Sequence, residues 1–206
     1  MMIVIVDFGI GNLNSVLNKL VRIGANAIIS SHSEDIEKAD KLILPGVGSF
    51  STGMENLEKY NILSVLDKKV NLDKTPILGI CLGMQLFSER SEEGEAKGLG
   101  WLSAETKRFR FEGNNKRLKI PHMGWNTLNF RRDSKLLKGI TSEDSFYFVH
   151  SFHFVSHTEH NVITNTCYGY DFASVIQKDN IYGTQFHPEK SHASGLKILR
   201  NFVELT

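Results

Sequence analysis

The chain has 206 residues, with 24 lysines and arginines against 23 aspartates and glutamates, a net charge of +1 at pH 7. That balance leaves no electrostatic footprint for nucleic acid or an anionic membrane surface, and the length allows one domain with a core that needs no staples. Two cysteines, Cys81 and Cys167, are too few for a disulfide framework and fit a reducing cytoplasm.

The run Met1-Met2-Ile3-Val4-Ile5-Val6 meets Asp7 at once, too short for a signal peptide or a membrane span. It reads as a strand covered on both faces. Asp7-Phe8-Gly9-Ile10-Gly11-Asn12 then turns into a helical pattern through Leu13, Val16, Leu17, Leu20 and Ile23. Gly9-x-Gly11 lacks the third glycine of a dinucleotide loop, since position 14 is Asn, and no acidic residue closes the next strand. A tight strand-to-helix turn is the better reading. Strands follow at 27–29 and 41–44, separated by a short polar segment. The latter ends in Pro45-Gly46-Val47-Gly48-Ser49-Phe50, whose glycines let the backbone turn and offer N–H groups to a ligand. Helical spacing over 54–72 leads to the next strand.

That strand carries the chemistry. Pro76-Ile77-Leu78 is a buried apolar run, and Met84, Leu86 and Phe87 form the inner face of a helix. Between them, Gly79-Ile80-Cys81-Leu82-Gly83 has the form of a nucleophile elbow, a sharp turn that lifts one side chain out of the sheet. The helix start at Leu82 points free N–H groups at the cysteine and favours the thiolate.

After Ser91-Glu92-Glu93-Gly94 the character changes. Alternating runs at 101–111 and 123–130 read as antiparallel strands, and the basic segment 108–119 between them as a solvated hairpin loop. Residues 146–157 read as one alternating strand with Phe146, Phe148, His150, Phe152 and Phe154 on one side. His150, His153, His157 and His160 raise the question of a metal, but His150 and His153 fall on opposite faces of such a strand. No Cys or carboxylate completes a set, so no metal is expected. Strands at 162–166 and 173–177 follow, with Cys167 a structural or surface thiol. The run 181–186 enters His187-Pro188-Glu189, and a helix over 192–203 closes the chain. No linker or repeat interrupts residues 1–206, which read as one domain. The alternation predicts an α/β fold: an open, mostly parallel twisted sheet flanked by helices, flavodoxin-like, with an added antiparallel portion in the C-terminal half. Its site lies at the C-terminal ends of the strands.

Cysteine chemistry needs a base, and the base an orienting carboxylate. His187 and Glu189 sit two apart at a strand end, with Pro188 fixing the backbone between them. The elbow at Cys81 together with Gln185-Phe186-His187-Pro188-Glu189 resembles the class I (triad) glutamine amidotransferases, and Pro45-Gly46-Val47-Gly48 matches their oxyanion segment. Pro121-His122-Met123-Gly124-Trp125-Asn126, Phe146-Tyr147-Phe148-Val149-His150-Ser151 and Lys190-Ser191 narrow the resemblance to the glutaminase subunits of imidazole glycerol phosphate synthases, end to end.

The resemblance implies Cys81 as nucleophile on L-glutamine, His187 as base and then acid, and Glu189 as its orienting partner. It implies oxyanion donors at Leu82 and at Gly46 and Val47 after a peptide flip, and no cofactor. Gln85, Glu93 and the backbone of Ser151 and Phe152 would hold the amino-acid end of glutamine. Phe152 stands where a tyrosine is common, which changes little if only its backbone is used. Asn12, Met123, Trp125, Tyr147 and Lys190 would face a (β/α)₈-barrel cyclase subunit, partner in a cytoplasmic heterodimer that receives the ammonia. An alternative recipient is a sugar amidotransferase of surface-polysaccharide synthesis. Two further readings, an idle interaction subunit and a protease-like elbow-cysteine protein, are opposed by the intact triad and by Gln85.

Overall fold

Three buried, largely apolar runs form the middle of one sheet and a fourth, half-buried run its edge; a strand covered on both faces has no polar side to alternate. The computed structural model describes residues 1–206, the side chain of residue 114 excepted. In it β1 (Ile3–Val6), β2 (Ala27–Ser30), β3 (Lys41–Gly46) and β4 (Ile77–Cys81) lie parallel. Every residue of β1, β3 and β4 is buried. Alternate residues serve two cores: Ile3, Ile5, Leu78 and Ile80 pack on one face, and Val4, Val6, Leu42 and Leu44 on the other.

Helices α1 (Leu13–Arg22), α2 (Ser33–Lys38), α3 (Phe50–Lys59) and α4 (Leu63–Asp67) return the chain between these strands. The helical stretch begins at Phe50, four residues before the predicted start, because the Ser49 hydroxyl accepts the Thr52 N–H and caps it. α5 (Leu82–Gln85) follows β4 with no residue between them.

The second half supplies β5 (Arg90–Ser91), β6 (Ala104–Arg108), β7 (His122–Thr127), β8 (Asn129–Phe130), β9 (Ser145–His150), β10 (Phe152–Ser156), β11 (Val162–Tyr168), β12 (Tyr170–Lys178), β13 (Ile181–Thr184) and α6 (His192–Leu205). The main sheet has the order β2-β1-β3-β4-β13-β12-β11-β8. Its first five strands are parallel and follow the doubly wound pattern, and the last three are antiparallel. β10-β6-β5 and β7-β9 form two smaller sheets that stand over the C-terminal ends of the parallel strands. The main sheet and its antiparallel addition agree with the predicted fold class.

Two expectations fail here. Residues 146–157 are not one strand: the ladder breaks at Ser151, β9 pairs with β7, and β10 pairs with β6. Residues 108–119 are not a hairpin loop, because the strands on either side belong to different sheets and never pair with each other. Alternation within one strand cannot report a change of pairing partner, so neither error was avoidable from periodicity.

The last helix is tied down by a buried cation. Lys41, on β3, donates to the carbonyls of Phe202 at 2.8 Å and Val203 at 3.0 Å. These carbonyls lie in the last turn of α6, where a positive charge meets the negative end of the helix, and that of Phe202 also accepts the Thr206 hydroxyl at 2.7 Å.

Close approach is most severe at α5. A methyl group added at Gly83 would lie 1.7 Å from the Leu44 carbonyl oxygen, which is backbone and cannot turn aside. Gly83→Ala must therefore push α5 off β3. We expect a loss of about 3 kcal/mol, at the upper end of overpacking costs, read as a lower urea midpoint. A midpoint equal to the parent's would show that α5 can move freely.

Candidate active site

Cys81 ends β4 with φ +54° and ψ −108°, a left-handed backbone that costs a non-glycine residue about 1–3 kcal/mol. The surrounding packing holds it there. A side chain at Gly79 would meet the Phe87 ring at 2.6 Å and the Met84 nitrogen at 2.7 Å. With glycine at 79 and 83 the helix can descend onto β3 and β4, and the chain must reverse at Cys81. The side chain is 6% exposed and faces a cleft of about 480 Å³.

That cleft gathers most of the predicted residues. Val47, Leu82, Gln85, Glu93, Ser151 and Phe152 line it with Cys81. Gly46 stands opposite Cys81 in the β3–β4 register, which brings the Pro45-Gly46-Val47-Gly48 stretch alongside the sulfur. Gly48 has φ +114°, left-handed backbone that suits glycine alone, and no atom lies within 4 Å of where a side chain would start. A larger depression of about 820 Å³, lined by Arg132, Lys135 and Gln177 among others, contains none of these residues.

His187 follows three residues after the end of β13, behind the cleft lining and close enough to Cys81 for the two charges to interact. Its N–H donates to the Tyr147 carbonyl at 2.9 Å. The Ser191 hydroxyl donates to the His187 carbonyl at 2.6 Å and accepts the Tyr147 N–H at 3.0 Å. Ser191, fully buried, thus pins the 187–191 turn to β9, a role the sequence did not signal. His187 Nδ1–H donates to Glu189 Oε1 at 2.8 Å, and both side chains are buried. This bond fixes the tautomer and leaves Nε2 without a hydrogen-bond partner, open to accept or return a proton. Burial opposes charge on this ring. The negative sulfur of Cys81 and the Glu189 carboxylate outweigh that effect and push the histidine's pKa up to about 10.

The pocket's polar groups are already partly engaged. The Gln85 amide nitrogen donates to the Phe152 carbonyl at 2.9 Å and to Gln185 Oε1 at 3.1 Å, so only its own Oε1 is left to accept from a ligand. Glu93 Oε2 accepts the Phe50 N–H at 2.7 Å. The Ser151 carbonyl accepts the Phe109 N–H at 3.1 Å, and the Phe152 carbonyl accepts from both Gln85 and His150.

Behind the cleft the histidines form a chain that the strand reading missed. With the ladder broken at Ser151, His150 and His153 both pack on Phe109, at 5.2 and 4.6 Å between ring centres. They do not point to opposite faces of one strand. The donor directions follow in sequence. His150 Nδ1–H donates to the Phe152 carbonyl at 2.8 Å, so its Nε2 accepts from His122 Nδ1–H at 3.2 Å, and His122 Nε2 accepts from the Asn126 amide at 3.4 Å. Burial lowers the pKa of His122 and His153 to about 4 and that of His150 well below its ordinary value, so all three are neutral at pH 7. Among the described residues no group of His, Cys, Asp and Glu side chains has the geometry to hold a metal.

The residues expected to face a partner lie beside the cleft. Met123 and Trp125 are 62% and 47% exposed, unusual for large apolar side chains. The Trp125 ring stacks on His192 at 4.9 Å and meets Tyr147 edge-on at 6.0 Å. Lys190 Nζ lies 5.8 Å from the centre of the Tyr147 ring, and Lys190 also lines the cleft. Asn12 is exposed at the start of α1, which packs on the Pro188–Lys190 turn. Cys167 is an exposed free thiol.

A family model described as glutamine amidotransferase class-I matches residues 4–205. The chain is 48% identical to imidazole glycerol phosphate synthase subunit HisH 2 of Methanococcus maripaludis, over 98% of this chain and 99% of that protein. It is 46% identical to the protein of the same name from Pseudomonas aeruginosa, over 99% and 100%. Its fold is similar to a crystal structure described as a glutamine amidotransferase, with a TM-score of 0.73 and 21% identity over 98% of this chain and 97% of that one. PurLQS from Thermotoga maritima gives the same TM-score of 0.73 at 16% identity, over 98% and 96%.

Two outcomes follow from the electrostatics. Replacing Cys81 with Ser removes the negative sulfur, so His187 should lose its proton at a lower pH than in the parent. Nitrogen-15 NMR of the imidazole reads this directly, and identical titrations would disprove the coupling. The three neutral histidines act in the opposite direction. Their folded pKa values lie below the unfolded value, so the unfolded chain binds more protons and stability falls as pH drops from about 6.5 towards 4. His122→Phe should flatten that decline in urea titrations between pH 7 and pH 5. An unchanged slope would refute the contribution.

Proposed function

The chain belongs to the class I glutamine amidotransferase family, and from that premise we propose that it is the glutaminase subunit of an imidazole glycerol phosphate synthase, hydrolysing L-glutamine and passing ammonia to a cyclase subunit in histidine biosynthesis. The observation that carries this reading is a buried His187–Glu189 pair opening onto an elbow cysteine, in a chain 46–48% identical along its whole length to proteins named for that synthase.

In the proposed reaction the Cys81 sulfur attacks the side-chain carbonyl carbon of glutamine. A C–S bond forms, the carbonyl electrons move to oxygen, and His187 Nε2–H gives its proton to the departing nitrogen. Ammonia leaves and a γ-glutamyl thioester remains. Water then attacks the thioester while His187 takes its proton, the C–S bond breaks, and glutamate and the free cysteine are restored. Glu189 holds the ring in the required tautomer and offsets the imidazolium charge. The tetrahedral oxyanion would be held by the Leu82 N–H and by an N–H of the Gly46-Val47 segment once its peptide turns. Open space around Gly48 supports that movement. At the other end of the substrate, Gln85 Oε1 and the second Glu93 oxygen are acceptors suited to the α-ammonium group. Ser151 and Phe152 supply backbone there.

The exposed Met123 and Trp125, with Tyr147, Lys190 and Asn12, form the proposed docking face for a (β/α)₈-barrel cyclase. The cyclase's nucleotide ligand would activate the glutaminase through the turn at Gly46 and Val47. No described helix is long and apolar enough to cross a membrane. On separate grounds, a free-thiol nucleophile suits the reducing cytoplasm, where we place the complex. The relatives' names give no support to a sugar amidotransferase as recipient.

Glutamate release by the purified chain, alone and with a cyclase subunit and its ligand, tests the whole reading. We expect a rise of about tenfold or more only in the complete mixture, and none with Cys81→Ala although the complex still forms. A complex that never releases glutamate would refute the triad roles. Full activity in the unliganded complex would refute activation through the turn, and absence of any complex would move the assignment to the sugar pathway.

A further inference from the structure

The geometry points to Gln185 as a hydrogen-bond donor to the nucleophilic sulfur, with its amide held in the donating orientation by Gln85 and Phe152. Gln185 is fully buried just past the end of β13, two residues before His187, and its Nε2 lies 3.7 Å from Cys81 Sγ. The two ends of an amide have the same shape, so which end meets the sulfur follows only from the partners around it.

Those partners leave one arrangement. The Phe152 carbonyl can only accept, so Gln85 must turn its NH₂ group towards it, at 2.9 Å. The same nitrogen lies 3.1 Å from Gln185, and a donor there requires the Gln185 oxygen. Gln185 must then present its own NH₂ group to Cys81. The reference point is itself held from a second side, since His150 also donates to the Phe152 carbonyl at 2.8 Å. Reversing the Gln185 amide would set two donors against each other in a buried site and leave an oxygen lone pair facing the sulfur.

An N–H donor favours a charged acceptor over a neutral one. Another polar neighbour of the sulfur has the opposite preference: the Val149 carbonyl, 4.0 Å from Sγ, can only accept and so favours the protonated thiol. Gln185 offsets that pull and holds the sulfur ready to attack, independently of His187. The inference rests on Cys81 being the nucleophile of the proposed glutaminase, but the sulfur's reactivity can be read without glutamine.

Gln185→Met keeps the length of the side chain and removes the donor. Alkylation of the full chain by iodoacetamide, followed for each cysteine by peptide mass spectrometry across about pH 6–9, reads the effect. The exposed Cys167 serves as an internal reference. In the variant, Cys81 should react about tenfold more slowly than in the parent at neutral pH, relative to Cys167, the scale of a lost hydrogen bond to a charged group. Its pH profile should move to higher pH while that of Cys167 stays in place. Equal Cys81 rates in two proteins with the same circular dichroism would overturn the inference. If the methionine variant does not fold, Gln85→Met frees the Gln185 amide to turn and should slow Cys81 in the same direction. An unchanged rate there overturns it equally. If Cys81 is alkylated in the parent and slowed in the variant as expected, but the parent never releases glutamate with its partner, the glutaminase reading fails and Gln185's role stands.

Discussion

The constraint on which the site depends is the descent of one short helix onto a strand. Gly83 lies so close to the Leu44 carbonyl that no side chain fits between them, and Gly79 meets the Phe87 ring in the same way. Because α5 is seated at this depth, the chain must reverse within a single residue, and that residue is Cys81 at φ +54°. Its backbone strain is sustained by packing: Met84, Leu86 and Phe87 are fully buried in the core on that face of the sheet. The elbow is a product of the core, and the position of the sulfur is as rigid as the helix beneath it.

The parallel strands then decide what surrounds the sulfur. β3 and β13 flank β4, so the segments leaving their C-terminal ends arrive on either side of Cys81, carrying the Pro45-Gly46-Val47-Gly48 stretch on one side and His187-Pro188-Glu189 on the other. The antiparallel additions close the cleft. β9 supplies Tyr147 to hold the histidine turn through Ser191, and the break at Ser151 delivers Phe152 to the pocket wall. The parallel half brings Cys81, His187 and Glu189 together, and the added half limits their freedom.

Two kinds of electrostatics share this small volume. Around His187 and Glu189 the groups are charged and support one another. A few residues away, His122, His150 and His153 are neutral because burial without a counter-charge makes ionisation costly. The hydrogen bonds of His122 and His150 run in one direction, from Asn126 on β7 to the Phe152 carbonyl, where the Gln85 amide also ends. Neutral, directional groups fix geometry here without adding a charge that would compete with the imidazolium.

The sequence by itself determined the parallel strands, the elbow and the histidine–glutamate pair. Each is set by local chemistry: unbroken apolar runs, glycines two residues either side of Cys81, and a proline between His187 and Glu189. It also placed Val47, Leu82, Gln85, Glu93, Ser151 and Phe152 in a common site, but through resemblance, since nothing local joins them. Only the tertiary structure decided that the aromatic run breaks at Ser151, that His150 and His153 converge on Phe109, and that Gln185 turns its amide nitrogen to the sulfur. These outcomes depend on partners 28 to 104 residues apart. Periodicity records which face of a strand a residue occupies, whereas pairing between strands and the direction of a buried hydrogen bond are fixed only when distant segments pack together.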